Sequence, residues 1–178
     1  MCVCRERGDP ERLYAGQWRR ALERGCAEEL NGGGVWSEPG GLVDNCVIVS
    51  NTAPNTSSGG GGGAYGGRLV NCTISSNLAC LGAGARSCVL SNCTLVANGT
   101  IGYGHGGGAA GATLYSCVLT NNSTAAYGSG GGAYQSLLFN CVVAGNSTTS
   151  RGGGATGSGG GTASCTNNNC ILSGNVSG

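Results

Sequence analysis

Six segments of the chain carry one short pattern, an apolar-flanked Asn-Cys or Ser-Cys pair with an asparagine five residues after the cysteine. The sixth copy has two further asparagines before its pair. The cysteines, spaced by 26, 21, 24, 24 and 29 residues, are Cys46, Cys72, Cys93, Cys117, Cys141 and Cys170. The asparagines that follow them are Asn51, Asn77, Asn98, Asn122, Asn146 and Asn175. Agreement across six copies is not expected of a flexible linker, so most of the 38 glycines belong to a repeat fold.

The length of the repeat excludes the common helical and propeller repeats. Helical-hairpin repeats need ~34 residues and propeller blades ~40. Each copy also holds short runs of Val, Ile, Leu and Thr between Gly and Asn, which is typical of strands and turns. Leu138 and Cys141 stand three positions apart, so a straight strand would point them to opposite faces. Because both columns are apolar, we expect a left-handed bend at Asn140.

These features predict an all-β fold: a right-handed parallel β-helix (solenoid) of about six coils, spanning residues 32–178. Coils stacked ~4.8 Å apart would place cysteine on cysteine and asparagine on asparagine, as structural ladders. The preference of parallel crossover connections for one hand indicates the right-handed form. We expect the changes in coil length to be loops within residues 54–63 and 145–159.

Residues 1–31 differ in composition, because they hold six of the nine arginines and six of the eight acidic residues. Asp9-Pro10-Glu11 is typical of a helix start and Asn31-Gly32 of a helix end, with apolar residues at helical spacing between them. We expect an amphipathic helix that caps the first coil. The segment lacks the apolar stretch of a signal peptide.

The net charge and the length of the apolar runs narrow the possible partners. A net charge of +1 gives no electrostatic reason to expect nucleic acid, and no apolar run is long enough to predict a membrane span.

The last repeat stops at Gly178 without a recognisable cap. We therefore expect a repeat domain truncated at its C-terminus, with end-to-end self-association through the uncapped coil as one possible contact.

The 12 cysteines allow four interpretations, as disulfides, free buried thiols, zinc ligands or a catalytic nucleophile. In an in-register parallel ladder their Cβ atoms would be ~4.8 Å apart, longer than the ~3.8 Å of a disulfide, which favours free buried thiols. Zinc would need paired Cys-x-x-Cys ligands, and Cys2-Val3-Cys4 is a poor match. A catalytic cysteine needs a histidine as its partner, and His105 is the only histidine in the chain. We predict no metal and no cofactor.

Two motifs carry a resemblance to a known family. Gly131-Gly132-Ala133-Tyr134 and Ile74-Ser75-Ser76-Asn77 resemble the Gly-Gly-Ala-Ile and Phe-x-x-Asn repeats of chlamydial polymorphic outer membrane proteins and related bacterial autotransporter passengers. In architecture the repeats are also similar to the pectate-lyase-like right-handed β-helix class. The resemblance implies a secreted or cell-surface location and an adhesin-like role.

Outward aromatic residues are the candidate ligand contacts for a non-catalytic, structural or adhesive module that binds a glycan or a host or cell-surface protein. Two pairs share columns on the repeat, and these residues are Tyr115, Phe139, Tyr65 and Tyr134. The alternative hypothesis is a polysaccharide lyase or glycoside hydrolase, which needs two positioned carboxylates or carboxylate-bound calcium. The repeats supply only Glu38 and Asp44, so we name no catalytic residue.

A third hypothesis is an ice- or crystal-surface-binding protein, which would need a regular row of threonines along one face. Thr73 and Thr94 share a column, but Val47, Val118 and Val142 interrupt it. The pattern favours this hypothesis least.

Overall fold

The computed structural model describes residues 2–3, 31–53, 59–125, 127–149 and 158–178. Twenty-four short strands and no helix occur in these ranges, which confirms an all-β parallel β-solenoid. The helix predicted between Asp9 and Leu30 lies outside the described residues, as do parts of the loops expected within 54–63 and 145–159.

The strands are two to seven residues long and follow one another at short intervals. The first eight are β1 (Cys2–Val3), β2 (Val35–Trp36), β3 (Leu42–Asp44), β4 (Val47–Val49), β5 (Ala64–Tyr65), β6 (Arg68–Val70), β7 (Thr73–Ser75) and β8 (Leu78–Leu81). The next eight are β9 (Ala85–Arg86), β10 (Val89–Ser91), β11 (Thr94–Val96), β12 (Gly99–His105), β13 (Ala109–Ala110), β14 (Thr113–Tyr115), β15 (Val118–Thr120) and β16 (Ser123–Thr124). The last eight are β17 (Ala133–Tyr134), β18 (Leu137–Phe139), β19 (Val142–Ala144), β20 (Ser147–Thr148), β21 (Thr162–Ala163), β22 (Thr166–Asn168), β23 (Ile171–Ser173) and β24 (Val176–Ser177).

The chain passes through four sheets in a fixed order, and one passage through them is one coil. Sheet 1 contains β2-β5-β9-β13-β17-β21, and sheet 2 contains β3-β6-β10-β14-β18-β22. Sheet 3 contains β1-β4-β7-β11-β15-β19-β23, and sheet 4 contains β8-β12-β16-β20-β24. All pairings between coils are parallel. The short strands reflect the glycines and left-handed residues that separate them.

The six sequence repeats do not all become full turns. The coils that begin at β5, β9, β13 and β17 have a neighbouring coil on both sides. For β8 of the first of these coils, the neighbour on one side is the isolated bridge between Thr52 and Leu78. The first repeat has that bridge in place of a fourth strand, and the last repeat has a neighbour on one side only. The prediction of about six coils is therefore corrected to about four full turns, because the end repeats form partial or one-sided layers.

The bend before each cysteine is left-handed, as predicted. Asn140 has a φ of 55°, and Leu138 and Cys141 on either side of it are both buried. The equivalent residues of the other coils, also at positive φ, are Asn45, Asn71, Asn92, Ser116 and Asn169. A short polar side chain tolerates this conformation, so the same residue type can recur at every corner.

The core consists of columns of identical or similar side chains. The central, inward-facing aliphatic residues of sheets 2 and 3 are fully buried in the covered coils, and they are Leu69, Leu90, Leu114, Leu138, Ile74, Leu95, Leu119 and Val143. In the last coil the matching position, Leu172, is 46% exposed, because no described coil covers it. Stacking on both sides therefore supplies most of the apolar burial.

The N-terminal strand β1 covers the outer edge of sheet 3 at the first repeat. It pairs antiparallel with β4, with Cys2 opposite Ile48 and Val3 opposite Val47. The sequence predicted that an N-terminal segment would cap the first coil through a helix. Among the described residues, a two-residue strand makes that contact.

Candidate functional site

An open groove of about 770 Å³ lies on the outside of the solenoid, over sheets 1 and 2 of the first coils. Its wall is the segment 37–41 between β2 and β3, which is longer than the two-residue connections that join sheets 1 and 2 in the later coils. Backbone hydrogen bonds hold this segment against the second coil, from Ser37 N to Tyr65 O at 2.9 Å and from Arg68 N to Gly41 O at 2.8 Å. We call this site the first-coil groove.

The wall has a defined turn at its tip. Gly41 N donates to Glu38 O at 3.0 Å, and Gly40 has a φ of 96°, so the turn Glu38-Pro39-Gly40-Gly41 has the features of type II. Gly66 lies under the wall at positive φ, and a Cβ there would collide with the carbonyl oxygen of Ser37. The wall is therefore positioned by local sequence as well as by its contacts with the second coil.

Three aromatic rings line the groove. Trp36 and Tyr65 are adjacent in sheet 1, where β2 pairs with β5, and Tyr115 reaches the groove from sheet 2. Trp36 is 37% exposed and Tyr115 is 44% exposed. Large flat rings that remain open to solvent can stack on the apolar face of a ligand while their polar atoms bind its edge.

Charged groups surround these rings. Arg68 and Glu38 both line the groove and are exposed, and neither forms an ion pair within the described residues. The guanidinium carbon of Arg86 lies 5.8 Å from the centre of the Tyr65 ring, within the range of a cation–π contact. The groove thus combines stacking surfaces with one basic and one acidic group at its margin.

Two of the four aromatic residues predicted as ligand contacts line the groove, and the other two lie outside it. Tyr65 and Tyr115 line the first-coil groove. Phe139 stacks on Tyr115 from the next coil, with ring centres 5.2 Å apart and planes at 13°, but does not line the groove. Tyr134 lies three coils from Tyr65 along the same column of sheet 1 and stacks on His105 at 4.6 Å.

Trp36 was missed as a ligand contact, although the sequence contains a signal for it. Gly34-Val35-Trp36 occupies the position that Gly63-Ala64-Tyr65 occupies in the next copy, so the tryptophan belongs to the same column. The irregular first copy obscured this alignment. The segment that forms the wall has no counterpart in the other copies, which is why the groove itself could not be predicted.

His105 is a structural residue. Its Nδ1 accepts a hydrogen bond from Ser129 N at 3.0 Å, which requires a neutral ring with the proton on Nε2. Partial burial lowers the pKa of His105 and favours the same neutral form. No nucleophilic side chain bonds to it among the hydrogen bonds of the described residues.

The six repeat asparagines form an internal ladder, as predicted. In the covered coils each side chain is fully buried and uses all its hydrogen-bonding groups along the axis. Asn98 Nδ2 donates to Asn122 Oδ1 at 3.0 Å and to Ile74 O at 2.9 Å. Asn98 Oδ1 accepts from Asn77 N and Nδ2, both at 3.0 Å. Such a satisfied network stabilises one register of the coils and excludes others.

The six repeat cysteines form a second column beside it. Five of them are buried, and Cys170 in the last coil is half-buried. The thiols of Cys72, Cys93, Cys117, Cys141 and Cys170 form no disulfide. The backbone N–H of Cys93 lies 3.4 Å from the Sγ of Cys117, and this contact recurs between Cys72 and Cys93, Cys117 and Cys141, and Cys141 and Cys170. Each Sγ also donates to a carbonyl of its own coil, for example Cys93 to Ser91 O at 3.3 Å. We call these six residues the cysteine column.

Neighbouring thiols in the column perturb one another. The pKa of Cys117 is raised, first by hydrogen bonding with the thiols of Cys141 and Cys93 and then by burial. The pKa of Cys93 is lowered, first by hydrogen bonding with the neighbouring side chains of Cys117 and Cys72, and its Sγ also accepts from the backbone N–H of Cys72. Outside the column, burial raises the pKa of Cys88 to about 12. The pKa of each of these thiols therefore depends on its neighbours in the column, whereas burial keeps the isolated Cys88 a neutral packing residue.

The described residues contain no group of three or more His, Cys, Asp or Glu side chains arranged to hold a metal ion. They also include no helix with the length and hydropathy that crossing a bilayer requires. No family model, no curated protein and no solved structure matches this chain. Function is therefore argued from the geometry of the described residues.

Proposed function

We propose that this solenoid is a non-catalytic binding module of a secreted or cell-surface protein, and that its first-coil groove binds a glycan. One observation carries the proposal: three aromatic rings, Trp36, Tyr65 and Tyr115, line a single open groove beside Arg68. The volume of about 770 Å³ is within the range of small-ligand sites, and it would admit a short stretch of sugar units.

The chemistry of the lining favours a sugar over a purely apolar ligand. Sugar rings have one face of C–H groups that packs on aromatic rings and an edge of hydroxyl groups that needs hydrogen-bonding partners. Ser87, Ser91 and Arg68 line the groove beside the rings and would supply donors to those hydroxyls. The groove is open to solvent, which also suits a polymer.

The location and the finer fold assignment are part of this proposal. The resemblance of the Gly-Gly-Ala and aliphatic-x-x-Asn motifs to autotransporter passenger repeats supports a secreted or surface protein of bacterial type. The general preference for right-handed crossovers supports a right-handed solenoid. An adhesive role would use the groove as a binding site and the rod as its spacer, since stacked coils form a stiff scaffold.

Catalysis on a polysaccharide is the second candidate, and Glu38 is the observation that favours it, because this carboxylate lines the groove. Hydrolysis by the usual mechanisms needs a second carboxylate, and the described lining contains no other acidic residue. The geometry therefore supports binding better than turnover. If Glu38 were an acid or base, purified protein would shorten a bound oligosaccharide and Glu38→Gln would abolish the cleavage.

The proposal can be tested by screening the full chain on an array of neutral and acidic oligosaccharides and measuring the affinity of a hit by calorimetry. We expect Trp36→Ala and Tyr65→Ala each to weaken binding by about tenfold or more, since buried aromatic contacts contribute about 1.4 kcal/mol or more. Tyr134→Ala is the matched control, because Tyr134 shares the column of Tyr65 but lies outside the groove. Equal loss in all three variants, or no hit on the array, would refute a glycan site in this groove.

A further inference from the structure

We propose that Tyr103 and Tyr127 form an oxidative cross-linking site, at which a one-electron oxidant such as a haem peroxidase with hydrogen peroxide joins the two rings as dityrosine. Their ring centres lie 5.3 Å apart, with the planes at 30°. Neither tyrosine lines the first-coil groove, so the site does not depend on the proposed glycan binding. The new bond ties one coil covalently to the next.

The repeat brings the two rings together. Tyr103 and Tyr127 are 24 residues apart, which is the length of one coil in this region. Four residues before each tyrosine, Gly99 of β12 pairs in register with Ser123 of the next coil. The two phenols therefore occupy one position on successive coils and stack along the axis of the solenoid.

A bulge in β12 exposes the first ring. β12 advances five residues between Thr100 and His105, whereas the paired strand β8 advances two residues over the same interval. Three extra residues are therefore accommodated outside the ladder, and such bulges change the direction of nearby side chains. Tyr103 is 74% exposed, so its phenol is accessible to an oxidant from solvent.

The second ring is held by an uncommon backbone conformation. Tyr127 has a φ of 65°, in the left-handed region that bulky side chains rarely adopt. It belongs to a turn in which Gly128 N donates to Ala125 O at 3.0 Å. A Cβ on Gly128 would collide with the carbonyl oxygen of Gly104, so this turn packs tightly on the coil that carries Tyr103. Residues in such conformations are concentrated at functional sites.

The cross-link requires two phenols and two one-electron oxidations. Each phenol loses one electron and its hydroxyl proton and becomes a phenoxyl radical, whose unpaired electron is shared with the ring carbons ortho to the oxygen. The two radicals form one carbon–carbon bond between ortho carbons. Each of these carbons then loses its proton and each oxygen regains one, which restores both aromatic rings. In total, two electrons and two protons reduce one hydrogen peroxide to two waters.

The other tyrosines of the described residues have ring neighbours that are not phenols. A radical formed on one of them therefore has no second phenol in contact with which to couple. These neighbouring pairs are Tyr65 with Arg86, Tyr115 with Phe139, and Tyr134 with His105. We accordingly expect one intramolecular cross-link within the part of the chain that the structure describes.

The first test is peptide mapping of oxidised protein. Dilute full-length protein is treated with a haem peroxidase and hydrogen peroxide, and the monomer is isolated and digested with chymotrypsin. Chymotrypsin is needed because no Lys or Arg separates the two tyrosines, whereas Leu114 between them offers a cleavage site. We expect the peptides that contain Tyr103 and Tyr127 to be joined with the loss of two hydrogen atoms, and the monomer to show dityrosine fluorescence.

Phenylalanine variants separate the phenol from the ring. Tyr103→Phe keeps the stacked ring but removes one phenol, so it should abolish the joined peptides. Tyr134→Phe is the matched control, because Tyr134 is also stacked but on the imidazole of His105. It should give as much product as the wild type. Circular dichroism before oxidation checks that each variant folds like the wild type.

A second pair of rings allows the site to be built elsewhere. Tyr115 and Phe139 stack with ring centres 5.2 Å apart and planes at 13°, but they carry one phenol between them. Adding Phe139→Tyr to Tyr103→Phe should restore one cross-link, now between Tyr115 and the introduced phenol. Failure of this double variant to form the new product would contradict the argument that stacking on successive coils decides which rings couple.

The cross-link should also stabilise the solenoid. It closes a loop of 24 residues that unfolding otherwise opens, and a bond of this kind restricts the unfolded chain. Cross-linked wild type should therefore unfold at a higher denaturant concentration than untreated protein, and peroxidase-treated Tyr103→Phe should show no such rise. An unchanged midpoint in the wild type would overturn the stabilising role. Products only between different molecules, no product in the wild type, or persistence of the joined peptides in Tyr103→Phe would overturn the site itself.

Discussion

At the scale of single residues, the solenoid depends on buried amides that have no alternative partners. Asn98 joins three coils, because it bonds to Asn77 and Ile74 on one side and Asn122 on the other. Removing its side chain leaves several buried donors and acceptors without partners at once. Each such group costs ~1–3 kcal/mol when water cannot reach it.

We therefore expect Asn98→Ala to lower the free energy of unfolding by about 3 kcal/mol or more. Asn92→Gly is the control, because Asn92 is exposed, makes one side-chain bond of 2.7 Å to Asn71, and has a φ of 52° that glycine adopts freely. Its cost should stay below about 1 kcal/mol. Chemical denaturation measures both values, and similar losses in the two variants would contradict a special role for the internal ladder.

At the scale of the elements, the connections between strands impose two different demands on glycine. Some positions need positive φ, whereas others need space for the backbone of the next coil. Gly111 is of the first kind, with a φ of 58° and its nearest neighbour 4.0 Å from a built Cβ. Gly108 is of the second kind, since a Cβ there would lie 2.5 Å from Gly132 O. The neighbouring coils show the distinction. At the position of Gly111 they have Ser87 and Gln135, both at positive φ, whereas the position of Gly108 is a glycine in both.

Alanine at these two positions should separate the two demands. We expect Gly111→Ala to cost about 1 kcal/mol, the usual penalty of a left-handed alanine. Gly108→Ala should cost about 3 kcal/mol, because the added methyl forces two coils apart. Thermal and chemical unfolding of both variants would check the order, and a larger loss in Gly111→Ala would contradict it.

At the scale of the whole molecule, each coil is stabilised mainly by its neighbours, so stability should fall toward an uncovered end. The last coil shows the start of this trend, with Leu172 46% exposed while Val143 beneath it is fully buried. In stacked repeats, opening of an end coil costs less than opening of a middle coil.

Thiol labelling can follow this gradient without mutation. We expect an alkylating reagent to modify Cys165 and Cys170 first and Cys93 and Cys117 last, because the first two lie half-buried in the end coil. Peptide mass spectrometry at successive times measures the order, and denatured protein, in which all thiols should react alike, is the control. Labelling of Cys117 as fast as Cys170 would show that the coils do not protect one another.

The regular part of this molecule was predictable because it is repeated. When the same residue type occupies one position in all six copies, that position must have a similar environment in every coil. The two internal columns and the bend at Asn140 could therefore be placed from sequence. The groove arises where the repeat fails, in the unique segment 37–41, and no second copy exists against which to compare it. The number of full turns was overestimated for a related reason, because a copy of the motif does not by itself provide a neighbour on both sides.

The constant spacing of 24 residues from Cys93 to Cys117 and from Cys117 to Cys141 has a genetic consequence. A deletion or duplication of 72 nucleotides within this region removes or adds one whole coil and leaves the reading frame intact. The edges on either side of such a change are alike, since the coils carry the same ladders in the same register. Such mutations can therefore change the length of the rod, and with it the distance between the groove and the far end, without changing the groove itself.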